Sequence, residues 1–150
     1  MTMRSIRVKG DRMSADNVAT LMKAVAFFNR AADHSAYFDL YAPGATIHGI
    51  PPGGSSNLSE AKEFYRQLWL AFPDGRLEIL DAFGEVDRIA ARYTYGGTHE
   101  GDFMGTAATG KAVEWTGITI LRFTEGRCVE RWNEGDYLGL MQRLGAIPSP

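Results

Sequence analysis

KAVEWTGITILRFTEGRCVERWN, residues 111–133, is the stretch whose reading decides the fold. Period-two alternation runs from Lys111 to Phe123 and again from Arg127 to Asn133. Both runs are rich in β-branched and aromatic residues, the signature of strands. TEGR between them is short enough for a hairpin turn, so the two strands should be antiparallel neighbours. Alternation also sorts the side chains. Val113, Trp115, Gly117, Thr119 and Leu121 share one face, and Glu114, Thr116, Ile118, Ile120 and Arg122 the other. In the last strand Val129, Arg131 and Asn133 oppose Cys128, Glu130 and Trp132. One face must cover a core or line a cavity. The other carries Ile118 and Ile120 beside charges and is expected to meet a second copy, because large apolar residues left outside usually find a partner.

Upstream, RLEILDAF and RIAARYTYGGT alternate in the same way, joined by the short FGEVD, while HEGDFMGTAATG is a longer connection. Before Phe72 the period is helical. From Ser14, a candidate cap, to about Ala32, apolar residues at Val18, Leu21, Met22, Val25 and Phe28 share a face. HSAYFDLY is a second, short helix with Tyr37, Leu40 and Tyr41 inward, and APG stops it. ATIHG is a short first strand before the loop IPPGGSSN. Asn57 then caps a third helix with Glu60 in capping-box position. That helix buries Leu58, Ala61, Phe64, Tyr65, Leu68 and Trp69, and FPDG ends it. DYLGLMQRLG is a last short helix. Helices first and a meandering sheet afterwards make an α+β chain with one domain over 14–150. Residues 1–13 read as a mobile leader, with Met13 an alternative start.

With 150 residues the chain fits one domain with room for a core or an internal cavity. Hydrophobic residues at 45% and charged residues at 23% are ordinary for a soluble globular protein. Net charge is −2 and the 16 basic residues are scattered, so the basic stripe of a nucleic-acid footprint is missing. No apolar run approaches the roughly 20 residues that span a membrane. A single cysteine, Cys128, makes neither an internal disulfide nor a metal cluster, which points to a reducing, cytoplasmic setting.

HGIPPG, AFPDGRLEI, GTHEGDFMGTAATGKAVEWTGITILRF and GRCVERWNEGDYLGLMQRLG, in this order, resemble the SnoaL-like polyketide cyclases of the nuclear-transport-factor-like superfamily. The resemblance spans about Ser14 to Ile147. It implies a cone-shaped α+β barrel, three N-terminal helices packed in the concave face of a curved, mostly antiparallel sheet. It also implies intramolecular aldol ring closure, or a related acid–base reaction, on a hydrophobic, oxygenated, polyketide-like small molecule, without metal or organic cofactor. Such a reaction needs a base for a carbon-bound proton and donors for the enolate oxygens in a dry pocket. In the family an aspartate on the last strand is the base, and a histidine and a glutamine on the preceding strand hold the substrate. Counting from the turn Glu125–Arg127 puts the aspartate at Asn133, the histidine at Thr119 and the glutamine at Gly117. All three polar groups have been replaced.

An amide takes no proton, though it donates and accepts hydrogen bonds. A working base must then come from elsewhere. His48 is the leading candidate, since histidine side chains titrate near neutrality; Asp136 is second, and equally reads as a helix cap. Glu130 faces away from Asn133. His48, Trp115, Thr119 and Asn133 are expected to border one apolar cavity of roughly 300–1,000 Å³. Tyr65 and Trp69 contribute to its wall, and Trp115 is placed to stack a flat ring. Arg131 inside it would be costly unless paired with a carboxylate or placed to meet an acidic ligand group. His99 reads as a turn or rim residue and His34 as a helix start. Two function classes fit these residues, an enzyme (cyclase, isomerase or hydrolase) and a non-catalytic binding protein. A structural dimerisation module fits less of them.

Overall fold

A computed structural model describes residues 10–150; residues 1–9 of the expected leader lie outside the described residues. Four helices and six strands follow one another as α1 (Arg12–Phe28), α2 (His34–Tyr37), β1 (Tyr41–His48), β2 (Ser55–Asn57), α3 (Leu58–Ala71), β3 (Arg76–Glu85), β4 (Arg88–Thr98), β5 (Ala112–Thr124), β6 (Arg127–Gly135) and α4 (Tyr137–Leu144). The strands form one curved, unclosed sheet in the order β2-β1-β6-β5-β4-β3. β3 to β6 are an antiparallel meander, and β1 joins β6 in parallel. α1 lies against β3 and β4, and α3 against β1 and β2, so the helices fill the concave side. The expected cone-shaped α+β architecture is present. No described helix is long and apolar enough to cross a membrane.

Helix α1 begins at Arg12, not Ser14, because Asp11 is the cap. Its carboxylate accepts the Ser14 N–H at 2.9 Å and the Val86 N–H of the β3–β4 turn at 2.8 Å. Those bonds hold the Asp11 carboxyl at about 2, below the ordinary aspartate range, with the Ser14 N–H the larger cause. Residues 10–13 of the expected leader therefore belong to the folded domain. The helix also ends earlier, at Phe28, where Asn29 turns out to bond the backbone of Leu77 both ways at 2.8 Å. α3 matches its expectation, including the reciprocal Asn57–Glu60 capping box.

β1 starts at Tyr41 and runs through Pro43 and Gly44, with irregular pairing between Tyr41 and Thr46 that accommodates the missing proline N–H. β2 hides inside the Pro–Gly–Ser loop; three residues are too few for alternation to declare a strand. In β6 the pairing shifts, Arg122 opposing Glu130 but Phe123 opposing Cys128, so Val129 is an extra residue. Cys128 therefore turns inward with Arg131 and Asn133, against the alternation expectation. β5 keeps strict alternation. Trp115, Thr119 and Leu121 are buried, while Ile118 and Ile120 are exposed with Phe83 on the outer face.

Candidate active site

Between the helices and the concave sheet lies a cavity walled mainly by Leu21, Val25 and Phe28 of α1, Phe64, Tyr65 and Leu68 of α3, and Leu77, Ile79, Tyr93, Tyr95 and Trp115 of the sheet. One end of it is polar, where Tyr37, Thr119, Arg131 and Asn133 meet. The free space is about 40 Å³, measured for the centre of a water molecule. That is smaller than the size expected from the sequence. Aromatic side chains packed edge to face occupy the rest: the Phe28 ring lies 4.9 Å from Tyr37, 5.3 Å from Tyr65 and 6.0 Å from Tyr95.

Arg131 organises the polar end. Only 7% exposed, it has no carboxylate among its partners. Its Nη1 shares two N–H donors among three phenols, Tyr41 at 2.7 Å, Tyr65 at 2.9 Å and Tyr37 at 3.0 Å. Nε donates to Thr119 Oγ1 at 2.9 Å. Nη2 has one long contact, 3.4 Å to Asn133 Oδ1, which also accepts from the Tyr93 hydroxyl at 2.8 Å. Burial opposes the guanidinium's charge most strongly, but arginine does not give up its proton in a protein, and the phenol and threonine oxygens accept its hydrogen bonds, so the group stays cationic. The sequence expectation of a carboxylate partner for Arg131 is not met; phenol dipoles take that place.

The protons can be counted. Tyr37 and Tyr41 share one hydrogen bond of 2.8 Å, so one hydroxyl donates and the other keeps a free proton. Tyr65 accepts from Arg131, and its own hydroxyl interacts with that of Tyr37, so the phenols share their protons within the cluster. Burial pushes the Tyr37 and Tyr65 hydroxyls well above the ordinary phenol range, so both are neutral donors at physiological pH. Tyr37 and Tyr65 both line the cavity. The polar end is thus a set of O–H and N–H donors backed by a positive charge, suited to hold a carbonyl or enolate oxygen.

The candidate residues divide between this cavity and other places. Trp115, Thr119, Arg131, Tyr65 and Asn133 all line it. His48 does not. β1 alternates, so Ile47 points inward and His48 outward, stacked on Trp132 at 5.5 Å. There its Nδ1 pairs with Ser55 Oγ at 2.7 Å and its Nε2 with Glu130 Oε2 at 2.9 Å. This His48 bond, with a smaller share from Arg122, holds the Glu130 carboxyl below its ordinary range. Asp136 is likewise outside, capping α4 through the Gly139 N–H at 3.0 Å. Trp69 packs behind Tyr65 and stacks on His34 at 3.8 Å, so it backs the wall without lining it. His99 is wholly buried rather than at a rim; its Nδ1 accepts the Thr109 N–H at 3.2 Å and it stacks on Phe72. Among the described residues no carboxylate and no histidine lines the cavity. Among the described residues no acidic, histidine or cysteine cluster could hold a metal ion.

Sequence reasoning missed Tyr93 and the polar use of Tyr37 and Tyr41. The available signal was a set of tyrosines at inward positions, where phenylalanine would serve packing better, facing a cavity-side arginine. Gly117 explains Tyr93. The two are cross-strand partners, and a Cβ on Gly117 would run into the Tyr93 ring. The tyrosine lies where a side chain at 117 would otherwise project. Gly117→Gln is therefore expected to displace Tyr93 and destabilise the fold by about 1–3 kcal/mol through overpacking. Urea unfolding checks this; an unchanged midpoint would mean that Tyr93 is free to move.

A family model described as SnoaL-like polyketide cyclase matches residues 18–144. The chain belongs to the SnoaL-like polyketide cyclase family. Among solved structures similar to this SnoaL-like chain is AclR from Streptomyces galilaeus, a proposed hydroxylase, at 31% identity and TM-score 0.83, covering 91% of this chain and 85% of AclR. Another is IdmH from Streptomyces antibioticus, a proposed polyketide cyclase, at 30% identity and TM-score 0.72, covering 90% of this chain and 99% of IdmH. TsrD from Streptomyces laurentii is 26% identical with TM-score 0.77, over 91% of this chain and 98% of TsrD. No curated protein matches the chain significantly. SnoaL-like membership and these names point to enzymatic activity, and the family alone does not say which reaction.

Proposed function

We propose that this protein is a SnoaL-type enzyme acting without a cofactor on a hydrophobic, polyketide-like molecule. Its reaction is ring closure or a related step through an enolate. One observation carries the reading: a buried guanidinium with no carboxylate partner, ringed by phenols at the polar end of an apolar cavity. Tyr65 and Tyr37 hydroxyls and Arg131 Nη2 hold the substrate's carbonyl oxygen and stabilise the negative charge that develops there. Asn133, at the position of the family's aspartate, acts as acceptor for Tyr93 and Arg131 and takes no proton. Trp115 supplies a flat apolar wall.

Ring-closure assays on polyketide-like methyl esters test this. Wild type is expected to turn over, Tyr65→Phe to lose about 10²–10³ in kcat as a lost oxyanion donor does, and His48→Ala to stay within about twofold. Equal loss in His48→Ala would return the chemistry to the outer face and overturn the reading. A second reading, a binding protein without turnover, is favoured by the absence of carboxylate and histidine from the cavity wall. Ligand binding by wild type with no turnover of any ester would select it. Exposed Phe83, Ile118 and Ile120 on the outer face support pairing of two copies there. Light scattering at micromolar concentration would refute the pairing by giving a clean monomer.

A further inference from the structure

We propose that the cavity takes its ligand as a monoanion, the enolate of an acidic 1,3-dicarbonyl, which gives up its proton to solvent on binding. The inference rests on the cavity reading above and replaces the missing base with an electrostatic one. Arg131 is a buried cation facing Tyr37 of α2, Tyr41 of β1, Tyr65 of α3, Tyr93 of β4, Tyr137 of α4 and Cys128 of its own strand. Burial keeps every phenol of that set neutral and pushes the Cys128 thiol up to about 11, so none supplies a counter-charge near pH 7. A buried charge without a partner is costly, and an incoming anion relieves that cost where a neutral ligand does not.

The geometry also selects the kind of anion. A carboxylate prefers two parallel N–H donors from one guanidinium edge. Here Nη1 is occupied by three phenols and Nε by Thr119, leaving Nη2 with its single 3.4 Å contact. An NH₂ group with one long contact, in a wall that also carries the Tyr37 and Tyr65 hydroxyls, suits a single oxygen atom carrying delocalised charge. The balance is simple. The dicarbonyl's central C–H bond breaks, its proton leaves to water or buffer, and its electron pair stays on the ligand as the enolate. The enzyme then needs no carboxylate at 133 to generate the nucleophile.

Isothermal calorimetry with 1-phenylbutane-1,3-dione tests the idea on the intact protein. Titration in two buffers of different ionisation enthalpy should show release of about one proton per ligand bound. Affinity should rise about tenfold per pH unit below the ligand's own pKa and level off above it. The 2,2-dimethyl analogue, which has no acidic proton, and 4-phenylbutanoate, a carboxylate, should both bind roughly 10- to 100-fold more weakly, the range of one charge-assisted hydrogen bond. Arg131→Lys should keep the pH slope and Arg131→Met should lose it, with circular dichroism melts showing both folded. Binding of the dione without proton release, or equal affinity for the blocked analogue, overturns the anion while leaving the cavity as a ligand site. Tighter binding of the carboxylate overturns the choice of enolate. No binding of any of the three to wild type overturns the cavity reading itself.

Discussion

Asn133→Asp is expected to stabilise the protein at neutral pH by about 2 kcal/mol and to give the cavity the proton acceptor it lacks. The wild-type amide oxygen already accepts from the Tyr93 hydroxyl at 2.8 Å and lies 3.4 Å from Arg131 Nη2, so a carboxylate of the same shape inherits both donors. It also supplies a counter-charge to a guanidinium that is buried in either case, which separates this change from the creation of a new buried pair. A carboxyl so placed has its folded pKa held below the unfolded value near 3.9, and the stabilisation of roughly 2 kcal/mol corresponds to a depression of one to two units. The sign follows from that depression. The gain is fully present above the unfolded pKa and disappears as pH falls through the lower folded one. Urea unfolding of wild type and variant should therefore diverge at pH 7 and converge near pH 2–3. A variant less stable than wild type at pH 7 would mean that the phenols already satisfy Arg131. On ring-closure substrates that need a base, the variant should gain about 10²–10⁴ in rate, the usual worth of a positioned general base. Binding of anionic diones should weaken in the same variant, because the unpartnered charge is gone.

Arg131→Gln is expected to lower kcat by about 10²–10³ while changing stability by no more than about 2 kcal/mol. The two effects separate because they have different origins. Catalysis loses the charge that polarises the Tyr37 and Tyr65 hydroxyls and the Nη2 donor. Stability loses hydrogen bonds to three phenols and Thr119, worth about 1 kcal/mol each, but also sheds the cost of burying an uncompensated cation. KM should move less than kcat if the site binds the developing charge more tightly than the neutral ground state. A variant that melts early with unchanged kcat would mark Arg131 as a structural strut only.

Two positions show why a family pattern transfers imperfectly even where the fold transfers well. At Gly117 the lost side chain is answered by Tyr93 across the strand, and at Thr119 the hydroxyl ties Arg131 to the Trp132 carbonyl at 2.8 Å. The polar end has been rebuilt from the tyrosines around it, which come from α2, β1, α3 and β4. None of them is adjacent to Asn133 in sequence, and none stands out by type or spacing alone.

Local patterns determined a great deal. Period two from Arg76 to Asn133, the turns that join those strands, and the Asn57–Glu60 capping box specify the meander and α3, because backbone sterics and pairing of neighbours act over a few residues. The strict alternation of β5 was enough to place Trp115 and Thr119 in the cavity. Tertiary structure decided three things that no local pattern carries. An extra residue at Val129 turned Cys128 inward together with Arg131, since a bulge shifts the faces without changing the composition. Parallel pairing of β1 with β6 set the direction of His48, sending it to the outer face with Glu130 and Trp132. And the ring of phenols around Arg131 exists only where four elements converge, because a buried charge is stabilised by whichever dipoles the fold brings within hydrogen-bonding reach, however distant they are along the chain.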